Sequence, residues 1–186
     1  MTEALLLIDI QNDYFPGGAM ECVGMEQAAG AASALLEIFR QERKPVFFIR
    51  HISMREGAGF FLPGTRGSEI HERVAPGPGE AVIEKHFPNS FFQTGLLAAL
   101  GEKGVTDCVI CGAMSHMCID ATTRAAREAG FACTVVEDAC ATRDLVFSGE
   151  IVPAASVHAA FMAALNGVYA RVVTLEEYVS GRKQEG

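Results

Sequence analysis

The chain has 186 residues, of which 49% are hydrophobic and 20% charged, and its formal net charge is −8. This length and composition predict one soluble domain, residues 1–186, with a continuous core. The negative charge argues against nucleic acid or an anionic membrane as a partner, because those surfaces attract lysine and arginine. Without a secretory signal, the six cysteines predict reduced thiols and a cytoplasmic protein that acts on a small molecule.

Short apolar runs alternate with segments of helical period along the chain. The predicted strands are 4–9, 46–50, 81–85, 108–111, 133–137 and 171–174. The predicted helices are 26–41, 94–102, 116–129 and 150–166, and Thr174 with Glu177 forms a capping box before a short last helix. This alternation predicts an α/β fold, a three-layer α/β/α sandwich with a six-stranded, mainly parallel, Rossmann-like sheet.

One connection, residues 53–79, is long, rich in glycine and proline, and without a sustained period. Connections of this length inside a compact domain are usually functional or disordered. Because the segment carries "GFFL" in its middle, we expect a loop that covers the substrate or a contact between subunits.

Three chemically different side chains are predicted at strand ends. Asp9 ends the first strand, Lys85 ends the third, and the fourth runs through Gly112 into a turn that leads to Cys118. Parallel sheets bind ligands beyond the carboxyl ends of their strands, so these groups are expected on one rim.

The predicted chemistry starts from the thiol, which has an ordinary pKa of about 8.5 and therefore needs activation at neutral pH. If Ser115 caps the following helix, Cys118 lies in the first turn, where free N–H groups stabilise an anion. Asp9 can take the thiol proton, and Lys85 offsets the repulsion between the two anions. The same helix start offers N–H groups to an oxyanion, as acyl transfer requires.

These residues stand in three motifs, "LLLIDIQNDYFPGGAM", "AVIEKHFPNSFFQTGL" and "VICGAMSHMCIDATTRAA". In order and spacing they resemble the isochorismatase-like cysteine hydrolases. The resemblance runs from Leu5 to about Tyr178 and is to the amidohydrolase branch, which includes nicotinamidases, N-carbamoylsarcosine amidases and streptothricin hydrolase-like proteins.

The resemblance implies a catalytic triad of Asp9, Lys85 and Cys118 that hydrolyses an amide-type C–N bond through a thioester. It also implies a cis peptide between Ala113 and Met114, an oxyanion hole formed by the backbone N–H groups of Met114 and Cys118, and a homo-oligomer, dimeric or larger.

Departures from the family pattern bear on metal and substrate. The nicotinamidase branch carries an Asp-x-His metal pattern, whereas this chain reads "FFIRHIS", so His51 lacks the aspartate. His51, His71 and His86 are scattered, and we expect neither a metal nor any other cofactor. Isochorismatases proper lack the cysteine, so its presence favours amide chemistry.

The predicted substrate-binding side chains surround the three motifs. Gln11 shares a strand face with Asp9 and is expected to orient it or the substrate. His116 is expected as a polar pocket wall. The full predicted set is Gln11, Phe15, His51, Phe60, Phe61, Phe91 and His116.

Three alternatives compete with this interpretation. "CVIC" suggests a redox dithiol, but Cys108 and Cys111 point to opposite faces of a strand. A serine hydrolase using Ser115 is disfavoured because "GAMSH" lacks the second glycine of a nucleophile elbow. A non-catalytic relative that keeps the fold for ligand binding or assembly remains open.

Overall fold

The structure is a computed structural model that describes residues 2–182. Its strands are β1 Glu3–Ile8, β2 Val46–His51, β3 Ala81–Lys85, β4 Asp107–Ala113, β5 Ala132–Ala141, β6 Leu145–Phe147, β7 Glu150–Val152 and β8 Arg171–Val173. Its α-helices are α1 Met25–Gln41, α2 Leu96–Glu102, α3 Asp120–Glu128, α4 Ala154–Leu165 and α5 Leu175–Arg182.

Six strands form one parallel sheet in the order β3-β2-β1-β4-β5-β8, flanked by helices. The α/β architecture expected from the sequence is therefore confirmed. β1 and β4 occupy the middle and are almost entirely apolar and buried, as strands covered on both faces must be. The chain leaves β1 toward β2 on one side and reaches β4 on the other, so a crevice is expected at their carboxyl ends.

Two predicted helices differ from the structure at their start. Residues 150–152 of the predicted helix 150–166 are β7, which pairs with β6 in an antiparallel hairpin. Ser148 and Gly149 both have positive φ, 52° and 84°, as a two-residue hairpin turn requires. The predicted helix 116–129 is divided into a π-helical turn, Ser115–Ile119, and α3.

The capping box before the last helix is confirmed. The Glu177 N–H donates to Thr174 Oγ1 at 3.1 Å, and the Thr174 N–H donates to Glu177 Oε2 at 2.9 Å. These two bonds satisfy backbone donors that a helix start otherwise leaves free. They fix the point at which the chain turns from β8 into α5.

The long connection 53–79 folds across the carboxyl end of β1. The His71 N–H donates to the Ile10 carbonyl at 2.9 Å, and the Phe61 N–H donates to the buried Asp13 carboxylate at 2.6 Å. Gly67 packs so closely on that carboxylate that a Cβ there would lie 2.1 Å from Asp13 Oδ1. Asp13 therefore anchors the segment over the carboxyl ends of the strands, where the candidate site lies.

No helix formed by residues 2–182 has the length and apolarity needed to cross a membrane.

Candidate active site

The structure brings the three predicted catalytic side chains together. Lys85 Nζ lies 2.7 Å from Asp9 Oδ2, and neither side chain has any exposed surface. The Cys118 thiol lies within 4.8 Å of an Asp9 carboxylate oxygen. Asp9 Oδ1 has no hydrogen-bond partner among the described residues, so this oxygen is free to accept a proton.

Asp9 reaches this position because the backbone turns sharply where β1 ends. Its φ is 51°, in the left-handed region that aspartate tolerates better than most residues. The Asp9 N–H donates to the Ile49 carbonyl at 3.0 Å, and the Asp9 carbonyl accepts the Gln11 N–H at 2.9 Å. The carboxylate is thus carried off the strand toward Lys85 and Cys118.

Gly112 lets β4 run close beside β1 before the turn that leads to Cys118. It pairs with Ile8, has a φ of 126°, and a Cβ there would lie 1.9 Å from the Ile8 carbonyl oxygen. Only glycine fits a position with both constraints. The peptide between Ala113 and Met114 is cis, as the family resemblance implies.

The π-helical turn then delivers Cys118. The Met114 carbonyl accepts the N–H groups of Met117 and Ile119, at 3.0 and 3.2 Å, and passes over the Cys118 N–H between them. Ser115 does not cap this turn, contrary to prediction, because its hydroxyl is engaged by the Ala141 carbonyl oxygen and by His158.

Lys85 is held by its charge and by the chain that follows β3. Its ammonium donates to the carbonyls of Phe87 and Pro88, each at 3.2 Å, in addition to its contact with Asp9. Burial lowers the pKa of Lys85, but the combined attraction of Asp9 and Cys118 raises it above its ordinary value of 10.5. Lys85 is therefore a permanent cation at neutral pH.

Cys118 differs from the activated thiolate expected from the sequence. Burial raises the pKa of Cys118 to about 12, and the Asp9 charge adds to this effect while Lys85 opposes it. The thiol of the resting site is therefore protonated, because loss of water outweighs the nearby ammonium. Ionisation of Cys118 would need a nearby base, and an Asp9 carboxylate oxygen lies within 4.8 Å of the sulfur.

His51 is the fourth side chain of this centre. One ring nitrogen lies within 4.8 Å of both an Asp9 oxygen and the Cys118 sulfur, and burial lowers its pKa, so the ring is neutral at pH 7. Gln11 fixes the backbone here: its Oε1 accepts the His51 N–H, and its Nε2 donates to the carbonyls of His51 and Ser68. The Gln11 amide is thereby occupied by backbone groups.

The predicted phenylalanines divide into two groups. Phe60 and Phe61 are 4.9 Å apart between ring centroids, and Phe61 lies 4.6 Å from Tyr14, so they form an aromatic wall beside His51. Phe15 instead stacks on His71 at 3.7 Å. The structure does not bring Phe91 to the triad. Its ring packs on Phe131, which precedes β5 and therefore lies at the amino end of that strand, opposite the carboxyl ends that carry the site.

His116 and the end of β5 form another part of the rim. His116 Nδ1 lies 2.6 Å from Thr142 Oγ1, and burial, followed by the Arg143 charge, lowers the pKa of His116. The Arg143 guanidinium contacts the Met20 sulfur at 3.0 Å and forms no salt bridge with any carboxylate within residues 2–182. Tyr14 is also part of this region, since burial and then the charges of Cys118 and Asp9 raise its pKa.

Sequence reasoning missed Asp13, Tyr14, Thr142 and Arg143. Asp13 and Tyr14 belong to a quoted motif, and their position directly after Asp9 was a usable signal. Thr142 and Arg143 follow the carboxyl end of β5, the same kind of position that singled out Asp9 and Lys85. The strand end itself was therefore the signal that identifies them.

The possible metal ligands gather differently from the histidines weighed in the sequence. His71 stacks on Phe15, and His86 Nδ1 lies 2.9 Å from the Ile52 carbonyl oxygen. Within residues 2–182, the single cluster of three possible ligands is Asp9, His51 and Cys118. All six cysteines are free, including the pair suggested by "CVIC".

A model of the isochorismatase domain matches residues 3–177 of the chain. The chain belongs to the isochorismatase family. It is 58% identical over 179 residues to the isochorismatase family protein YddQ of Bacillus subtilis, covering 96% of this chain and 99% of that one. A streptothricin hydrolase of Streptomyces noursei is 34% identical over 157 residues, which is 82% of this chain and 55% of the relative.

Among solved structures, an isochorismatase hydrolase from Oleispira antarctica has a TM-score of 0.93 and 51% identity, with 96% of each chain covered. The chain is accordingly an isochorismatase-family hydrolase, and its relatives include proteins named nicotinamidase and N-carbamoylsarcosine amidase.

Proposed function

We propose that this isochorismatase-family chain is a cysteine-dependent amidohydrolase of a small molecule, with Asp9, Lys85 and Cys118 as its triad and no cofactor. The observation that carries the proposal is the sealed Asp9–Lys85 ion pair beside a buried thiol. Burying two charges is costly, and a fold retains them where chemistry needs them more readily than for stability alone.

Acylation follows from the placement of the groups. As the Cys118 sulfur attacks the amide carbonyl carbon, its proton passes to Asp9, and the carbonyl oxygen becomes an oxyanion near the N–H groups of Met114 and Cys118. The C–N bond then breaks, the electron pair stays on nitrogen, and Asp9 returns the proton to the departing amine. The acyl group remains on the cysteine as a thioester.

Deacylation uses the same residues in reverse. Asp9 removes a proton from water, the resulting hydroxide attacks the thioester carbonyl, and the C–S bond breaks as Cys118 regains a proton. The product is a carboxylic acid. Lys85 stays charged through both steps and stabilises the anions on Asp9 and on the sulfur, which agrees with its raised pKa and its two carbonyl anchors.

The rim favours a particular class of amide. Arg143 lies near Tyr14 and His116 and has no carboxylate partner among residues 2–182, so its guanidinium is free to bind an anion. Phe60 offers a partly exposed aromatic face, supported from behind by the buried Phe61. We therefore infer a small substrate that carries a carboxylate and a planar or apolar part together with the scissile amide.

The test is release of ammonia or amine from a panel of small amides, each paired with an analogue that lacks the carboxylate. Turnover should favour the acid-bearing member of each pair, and brief incubation followed by intact mass measurement should show an acyl adduct on Cys118. Turnover by a Cys118→Ala variant would rule out the thioester mechanism. Tight binding of these amides to the wild-type protein without turnover would instead favour the non-catalytic alternative.

Assembly and location complete the proposal. We propose a single domain over residues 1–186, located in the cytoplasm, with no nucleic-acid or membrane partner, and assembled with further copies of itself. The hairpin β6–β7 supports assembly, because Val146, Phe147 and Ile151 are 71%, 77% and 66% exposed. Light scattering on the wild type and on a Phe147→Ser variant tests it, and a monomeric wild type would contradict it.

A further inference from the structure

A second hydrogen-bonded group of side chains contacts residues 113–119, the segment that carries Cys118, which we call the nucleophile turn. Ser115 Oγ lies 2.9 Å from His158 Nδ1, and His158 Nε2 lies 3.1 Å from Glu137 Oε2. These residues come from the π-helical turn, α4 and β5. We call Ser115, His158 and Glu137 the relay.

The relay has the residue types of a hydrolytic triad, but it is not placed to act as one. Ser115 has no exposed surface, and its hydroxyl is already shared between His158 and the Ala141 carbonyl oxygen, 3.2 Å away. A nucleophile must reach a substrate carbonyl, and this hydroxyl is directed into the protein. Its contribution must be structural or must act through a neighbour.

The neighbour is the turn that carries the reacting groups. Ser115 directly follows Met114 and lies three residues before Cys118. Ala141, to which Ser115 bonds, pairs with Ala113 across the sheet. The relay therefore ties Ser115 to β5 and α4, two residues after the point at which β4 pairs with β5.

The roles of the hydrogen bonds follow from Glu137. Its carboxylate accepts the Nε2–H of His158, which leaves Nδ1 as an acceptor, so the single proton of the Ser115 hydroxyl is shared between Nδ1 and the Ala141 carbonyl oxygen. An imidazole held at one nitrogen by a carboxylate is fixed in tautomer and orientation. His158 thus presents a rigid second acceptor to the Ser115 hydroxyl, beside the Ala141 carbonyl oxygen.

We propose that His158 is a positioning residue for the proposed amidohydrolase: held by Glu137, it fixes Ser115 and through it the backbone N–H groups and the thiol of the nucleophile turn. The predicted effect on catalysis rests on the proposed function. The predicted restraint of residues 113–119 does not depend on it and can be tested separately.

The first test is amide hydrogen exchange over residues 113–119. His158→Leu removes one hydrogen bond to this segment, of about 1 kcal/mol, so exchange there should accelerate roughly five- to tenfold. Ser115→Ala removes the contacts to both His158 and Ala141 and should accelerate exchange at least as much. Ser115→Thr and His158→Asn keep a group able to make the bond and should restore slow exchange. Thr123→Val is the control, because it removes a buried hydroxyl that has no partner among residues 2–182.

The second test is the rate at which iodoacetamide modifies Cys118, together with kcat and KM once an amide is found. Ser115→Ala and His158→Leu should slow modification and lower kcat about fivefold or more, with KM little changed. All rates are compared well below each variant's thermal midpoint, so that global unfolding does not contribute.

The outcomes separate the two proposals. Wild-type exchange in both Ser115→Ala and His158→Leu overturns the relay, whatever the enzyme does. Faster exchange in those variants, combined with no turnover of the amide panel and no acyl adduct on Cys118 in the wild type, supports the restraint and refutes the proposed function. Faster exchange with unchanged kcat and unchanged modification of Cys118 overturns the positioning role.

Discussion

Removing Lys85 is the substitution whose consequences the structure fixes most closely. In a Lys85→Met variant the Asp9 carboxylate stays sealed from solvent but loses its counter-ion, 2.7 Å away. At an effective dielectric constant of about 20, the lost attraction is about 6 kcal/mol, and relief of the lysine desolvation returns part of it. Losing one partner of a buried pair therefore costs about 3 to 5 kcal/mol of the free energy of unfolding.

Urea unfolding measures this loss, and two further variants interpret it. Lys44→Met breaks two partly exposed pairs, with Glu3 at 3.1 Å and with Glu42 at 3.0 Å, and should cost about 1 kcal/mol or less. The double variant Asp9→Asn with Lys85→Met removes both charges and should recover most of the stability. If Lys85→Met costs no more than Lys44→Met, the argument for a costly buried pair is wrong.

The pH dependence gives an independent check. Because the folded pKa of Lys85 is raised above 10.5, its stabilising effect is fully present below about pH 10.5 and is lost as pH rises through the folded value. The stability difference between wild type and Lys85→Met should thus be flat near neutrality and shrink in strong alkali. The rate of wild-type Cys118 alkylation should rise with pH without a plateau up to about pH 10, since the pKa of Cys118 is about 12. Lys85→Met should raise this pKa further, because the lysine charge lowers it.

Four other substitutions test separate parts of the site. Cys118→Ala should abolish turnover while changing the free energy of unfolding by only about 1 kcal/mol in urea, and residual turnover would exclude the thioester. If Asp9 is the base, Asp9→Asn should lower the rate of Cys118 alkylation at pH 7 about 100-fold. If Asp9 acts only through its charge, which raises the pKa of the thiol, the same variant should accelerate alkylation. Gly112→Ala places a Cβ 1.9 Å from the Ile8 carbonyl oxygen and should cost more than about 4 kcal/mol, so near-native urea stability would disprove that close approach. Arg143→Gln should raise KM about tenfold for acid-bearing amides and leave their uncharged analogues unaffected, whereas equal effects on both would remove the proposed carboxylate contact.

Much of the fold and the centre of the site followed from local patterns. The apolar runs of β1 and β4 predict buried parallel strands, and strand ends at one rim predict that Asp9, Lys85 and Cys118 meet. The capping box of Thr174 could also be predicted from the sequence, because its two hydrogen bonds join residues three apart in the chain.

What the sequence did not yield depends on contacts between distant residues. The hydroxyl of Ser115 looks like a helix cap until β5 and α4 supply competing partners 26 and 43 residues away. The pKa of Cys118 depends on how completely the site excludes water, which no motif encodes. Phe91 has the composition of a pocket residue, but Phe131 decides where its ring packs.

Asp13 gives the entrance to the site a particular mechanical character. One carboxylate oxygen receives the Phe61 N–H of the long connection, and the other receives the Ala19 N–H of the turn after β1. Two loops that are far apart in the chain are thereby fastened to a single buried side chain. A movement of Phe61 that widens access to Cys118 must either break its hydrogen bond to Asp13 or move the turn of residues 12–20 as well. Substrate entry by that route therefore requires the two loops to move together.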